Sequence, residues 1–130
     1  DQANDGDPVL AVGRQLRHMA ALSGSMLRKA VRAADEMDPG LARSVLERDA
    51  ELDAEFAAAL RLVMSYVLQD HRFLRPTIDT IFALKGLERI GDHATNIAEQ
   101  VLYMMGLDRQ QADAASFCQA GPDPAGGAVR

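Results

Sequence analysis

Leu87-Glu88-Arg89-Ile90-Gly91-Asp92-His93-Ala94-Thr95-Asn96-Ile97-Ala98-Glu99 carries two stripes of different chemistry on one helical repeat. Ala83, Leu87, Ile90, Ala94, Ile97, Val101 and Met104 recur at alternating steps of four and three, the spacing that keeps apolar groups on one side of a helix. This side predicts a packing seam. Glu88, Asp92, Asn96 and Glu99 follow at steps of four, four and three, and form a second stripe bordering the first. Oxygen ligands are thereby expected beside a core.

Working outward, two more seams of the same kind precede this one. Leu16, Met19, Ser23, Met26, Ala30, Ala33 and Met37 predict a first helix from Pro8 to about Met37. Leu41, Val45, Leu52, Phe56, Leu60, Val63 and Val67 predict a second. Asp7-Pro8 and Asp38-Pro39 each offer an N-cap carboxylate followed by proline at the first helical position, where the missing N–H costs nothing. The second of these pairs ends one helix and starts the next at once, so the neighbours are antiparallel. Asp70 to Pro76 interrupts the pattern, and because the residue before proline avoids helical geometry the third helix is expected from near Thr77. It ends at Gly106, the residue type suited to a left-handed C-cap.

Each seam needs the other two for burial, which gives an all-α, antiparallel up-down-up three-helix bundle over 8–106. Residues 1–7 read as a flexible arm and 107–130, rich in Pro and Gly near its end, as a mostly disordered tail. Leu52, Phe56, Ile90, Ala94 and Ile97 are expected to be buried together on facing seams. Ser23-Gly24-Ser25 is poor helix material, costing about 1 kcal/mol at the glycine relative to alanine, and is a candidate for a close approach.

Composition narrows the functional classes. A chain of 130 residues suits one domain, and 48% hydrophobic residues with 5% aromatics and no Trp require an aliphatic core. A net charge of −5 argues against nucleic acid, whose binders need basic patches to displace counterions. One cysteine, Cys118, excludes an internal disulfide and a thiolate cluster, as in a cytoplasmic protein. No run is apolar enough to predict membrane insertion.

The run Leu87 to Glu99 resembles the signature of the PhoU family, bacterial regulators of phosphate uptake built from helical bundles. Glu88 and Asp92 match the family's acidic E-x-x-x-D motif. The resemblance covers Pro8 to Gly106 and is closest to the second, C-terminal repeat of a family that usually carries two three-helix repeats. It implies a cytoplasmic negative regulator of phosphate uptake and of the phosphate-starvation two-component response. Such a regulator acts by contact with the phosphate ABC transporter ATPase and the sensor histidine kinase and catalyses nothing. With one repeat in place of two, a homodimer is expected.

The polar stripe raises the question of a metal. With the hairpin pivoting at Phe73-Leu74, Asp49 falls near Glu99 and Asp53 near Thr95, and Asp92 and Asn96 lie within about one turn, roughly 5 Å. The small residues Ser23, Gly24 and Ser25 then stand level with them on the first helix, leaving room for an ion. Converging carboxylates repel unless a cation sits among them or some are protonated. Asp49, Asp53, Glu88, Asp92, Asn96 and Glu99 are therefore candidate metal ligands. Their oxygen-rich set suits Mg, Ca or Mn, and His93 or His18 nearby would admit Fe or Zn. The family resemblance points to transition ions, Fe or Zn, at such motifs. Against this, acidic residues four apart on a helix are commonly solvated or paired, and Lys85, Arg89 and Arg48 lie within a turn. Glu47, Glu51 and Glu55 are expected on a solvated face, and His18 and His71 on the surface.

Two other classes stand beside the regulator. A ferritin-like carboxylate enzyme needs Glu-x-x-His on two helices, and here Gly91 stands three residues after Glu88. A purely structural oligomerisation bundle would bind neither metal nor signalling partner. No nucleophile set, glycine-rich phosphate loop or zinc-protease motif is present in the sequence, which reads as a non-enzyme.

Overall fold

The structure is a computed structural model that describes residues 7–107. Helix α1 spans Pro8–Glu36, α2 Pro39–Gln69 and α3 Leu74–Met104, with a 3-10 helix at His71–Phe73 leading into α3. All three long helices contact one another, and the architecture is the expected up-down-up bundle. Of the expected flanking segments, only Asp7 and Leu107 fall within the described residues; 1–6 and 108–130 lie outside them.

Both Asp-Pro pairs act as helix starts. The Asp7 carboxylate accepts from the Val9 N–H at 3.0 Å, and Asp38 accepts from Gly40 and Leu41 at 2.8 and 3.2 Å. Each carboxylate satisfies donors that the first helical turn leaves free. Only Met37 and Asp38 separate α1 from α2, and Met37 makes the reversal in the left-handed region at φ 50. At the other end of α3, Gly106 (φ 72) caps the helix. The N–H groups of Gly106 and Leu107 reach back to the carbonyls of Tyr103 at 3.0 Å and Leu102 at 2.8 Å. This is a Schellman closure, and Leu107 packs against the core cluster that contains Leu102.

The turn between α2 and α3 differs from expectation. Asp70 ends α2, accepts from the Arg72 N–H at 3.0 Å and pairs with the Arg72 guanidinium at 2.7 Å. These bonds, the guanidinium's first, hold the Asp70 carboxyl below the usual carboxylate range. The Tyr66 and Phe73 rings pack at a tilt of 52°, 6.4 Å between centroids. Helix α3 therefore starts at Leu74, three residues before the expected Thr77. Pro76 falls in the first turn, where no intrahelical donor is needed.

The core follows α1 and α2 closely. Met19, Met26, Leu52, Val45, Leu84, Val101 and Leu102 are almost wholly enclosed, each worth about 1.5–3 kcal/mol of apolar burial. On α3 the seam is turned slightly from the reading above: Ala94 and Val101 hold their expected places, while Leu84, Gly91 and Ala98 are buried in place of Ala83, Ile90 and Ile97. Thr77, Leu84, Gly91, Ala94, Ala98, Val101 and Leu102 are buried, whereas Ile90 and Ile97 are half-buried and Ala83 and Met104 are exposed. Of the five residues expected to be buried together, Leu52, Phe56 and Ala94 are so, and Ile90 and Ile97 are not. The reason lies at Gly91. A Cβ added there would collide with Leu52 Cδ2 and come to 3.9 Å from Met26 Cε. The three helices meet at this point, and the space belongs to Leu52.

Candidate functional site

The polar stripe lies on the flank of α3 that faces α2. Glu88 forms an ion pair within the helix. Its carboxylate, 21% exposed, takes a bond from Lys85 Nζ at 3.1 Å, and the same ammonium stands 5.0 Å from the centre of the Phe56 ring on α2. Asp92 and Asn96 are exposed and Glu99 is half-buried. The backbone carbonyl of Asp92 accepts from Thr95 Oγ1 at 2.8 Å, a bond within the helix. On α2, Asp49 is half-buried and Asp53 exposed.

The structure also corrects the level of these groups. Leu52 against Gly91 and Phe56 under Lys85 are two pairs centred on His71, not on Phe73-Leu74. The helical path resumes at His71, so the hairpin pivots earlier than the proline suggested. Asp53 is consequently level with Arg89 and Ile90, between Glu88 and Asp92. Asp49 is level with His93 and Ala94, and Glu99 stands well over one turn further on. As placed, no three His, Cys, Asp or Glu side chains among the described residues are grouped to hold an ion. The α1 segment expected to leave room is part of the packing. Ser23 is wholly buried with its hydroxyl 3.4 Å from the Ala20 carbonyl, and Gly24 is half-buried beside Arg28.

Three features escaped the sequence reading. Glu55, expected with Glu47 and Glu51 on a solvated face, is half-buried and joins α1 to α2. Its carboxylate accepts from Gln15 Nε2 at 2.6 Å and lies 3.4 Å from Nε2 of the exposed His18. An apolar cleft of about 280 Å³ opens at the turn end of the bundle, between Val12 and Leu16 of α1, Val63 and Tyr66 of α2, and Phe73 and Thr77 beyond the turn. Leu74, Ile78 and Phe82, at steps of four outside the seam, are 54%, 46% and 72% exposed. Their four-residue spacing was the available signal.

Fold and site define a class: an all-α three-helix bundle in which a tightly packed seam is flanked by an oxygen-rich stripe. Within that class the chain belongs to the PhoU family, whose PhoU domain matches residues 16–101, from within α1 to within α3. Relatives named phosphate-specific transport system accessory protein PhoU homolog occur in several bacteria. The one from Xylella fastidiosa strain Temecula1 is 41% identical over 98 residues, covering 75% of this chain and 41% of the relative. Those from Pseudomonas aeruginosa PAO1 and Rhizobium meliloti are 40% identical over 91 residues and 39% over 93. They are covered over 38% and 39% of their lengths, against 70% and 72% of this chain. The chain thus spans about two fifths of the length of the curated relatives it matches. No solved structure matches it with significance.

Proposed function

We propose that this chain is an accessory module of phosphate transport that negatively regulates phosphate uptake and the phosphate-starvation response. It acts through contacts with the transporter ATPase and the sensor histidine kinase, and without catalysis. The observation that carries the reading is the match of the PhoU domain across all three helices, at about 40% identity to accessory proteins of phosphate-specific transport. No described helix is long and apolar enough to cross a membrane. The test is expression of the chain in phosphate-replete cells lacking their own PhoU protein, with a phosphate-starvation reporter as readout. Repression of the reporter, with recovery of the ATPase or the kinase on the tagged chain, is expected. Unchanged reporter output and an empty pull-down would remove the regulatory reading.

Two parts of the proposal are tested separately. Ion binding at Asp49, Asp53, Glu88, Asp92, Asn96 and Glu99 is supported by the family resemblance and by the placement of Asp53 between Glu88 and Asp92. The side chains as placed do not yet form a ligand set, so binding requires them to close on the ion. Chelator-treated protein should then gain about 2.7 kcal/mol at a hundredfold excess over Kd of Fe, Zn, Mn, Mg or Ca. An unmoved melting temperature with all five ends this part. Homodimer formation is read from sedimentation across protein concentration.

A further inference from the structure

The face that α2 and α3 turn away from α1 is apolar over one half and acidic over the other. Helix α1 sits on the Glu55 flank of α2, where Gln15 and His18 meet that carboxylate, and Phe56 and Lys85 meet across the α2–α3 side. From that contact toward the turn, Leu60, Met64 and Leu68 follow Phe56 at steps of four, while Phe82, Ile78 and Leu74 run back from Lys85. Met64 and Leu68 are 46% and 81% exposed, alongside the exposed Leu74, Ile78 and Phe82. Away from the turn the same two helix flanks carry Asp53 and Asp49 opposite Asp92, Asn96 and Glu99.

We propose that this face docks an amphipathic α-helix of a partner protein, with an apolar stripe of about three turns that continues into a basic segment. Two antiparallel helices present a groove into which a further helix fits as in a four-helix bundle. Leu74 to Lys85 is eleven steps, about 16 Å at 1.5 Å per residue, and the acidic half from Glu88 to Glu99 has the same length. With the short gap between the halves the whole run is about 38 Å, so one ligand of about 26 residues accounts for both. An anionic membrane does not, because the exposed Asp53 and Asp92 continue the same face and would be repelled by it. A second copy does not either. With apolar half on apolar half in antiparallel pairing, Arg75 of each copy stands near the level of Lys85 of the other, and nothing basic comes opposite the acidic halves.

The probe is a fluorescent synthetic peptide of about 26 residues, helical, with Leu at a and d positions in its first half and Lys on the flanks of its second. Binding to the full chain, kept metal-free by chelator because the same carboxylates are the proposed ion ligands, is followed by anisotropy. Ile78→Ser with Phe82→Ser should weaken binding by about tenfold or more. Asp53→Asn with Asp92→Asn should weaken it and flatten its salt dependence. Val31→Ser, on α1 and 56% exposed, should leave it unchanged, and circular dichroism verifies that each variant remains folded. The proposal is overturned by equal affinity for all variants, or by a peptide with Glu in place of Lys binding as well. It is also overturned if Phe82→Ser abolishes self-association or phosphatidylglycerol-vesicle binding in protein that does not take up the peptide.

Discussion

The inward and outward sides of the Leu87–Glu99 stretch obey different rules. Inward, Gly91, Ala94 and Ala98 are buried and small, and their lack of bulk lets α3 close on Leu52 and Met26. Outward, Asp92 and Asn96 are exposed, and Glu88 has a single i,i+3 ion pair, of a kind worth about 0.2–0.5 kcal/mol. The bundle requires the inner residues for its geometry and draws little from the outer ones. Polar groups with so small a structural role are the ones available for recognition.

The strongest challenge to this division is Leu52→Ala, which should cost about 2–5 kcal/mol in chemical denaturation, since the side chain is 1% exposed. A loss below about 1 kcal/mol would mean that the inner side is not tightly packed. Next comes Gly91→Ala. Alanine is the better helix former by about 1 kcal/mol, so a net loss of about 1–3 kcal/mol would report the collision with Leu52. In a Leu52→Ala background the same change should become neutral or stabilising, and strictly additive losses would contradict the contact. On the outer side, Asp92→Asn and Asn96→Ala in metal-free protein should each fall within about 0.5 kcal/mol of the parent. A larger loss would make the stripe structural after all.

The smallest effect belongs to the Asp70–Arg72 pair, whose guanidinium is exposed. Its carboxyl is held below its ordinary value, chiefly by the Arg72 side chain. The folded state therefore gains a little stability above the unfolded carboxyl's pKa and loses it as pH falls through the lower folded one. Asp70→Asn should remove that dependence, shown by a smaller difference between neutral and acid melting temperatures. An unchanged difference would show that the pair does nothing in solution.

Much of this architecture was legible because its signals are local. Asp7-Pro8, Asp38-Pro39 and Gly106 each set a helix end through their own backbone chemistry, and the α1 seam is built of residues whose apolar character announces them. On α3, Ala94 and Val101 were read correctly, but the seam was misplaced by one residue at Ile90 and Ile97 for the opposite reason. Ile90 and Ile97 outweigh Gly91 and Ala98 on any hydrophobic scale, yet at a close crossing the smallest side chains face inward. Burial there follows the neighbour's shape, which the local sequence does not contain. The level of the carboxylates was misjudged because Pro76 was taken as a break, when a proline in the first turn permits the helix to begin before it. Glu55 was read from its spacing alone, and its bond to Gln15 spans forty residues of chain.

The contact between Leu52 and Gly91 also restricts how the bundle can move. Sliding α3 along α2 by one helical turn would bring Leu87 or Thr95 beneath Leu52, where the structure has space for a hydrogen atom and nothing larger. Axial slip is therefore blocked in both directions, as by a pin through two rods. A conformational message that passes through this bundle has to travel as a tilt or a rotation of the whole hairpin, with the separation of its two ends conserved.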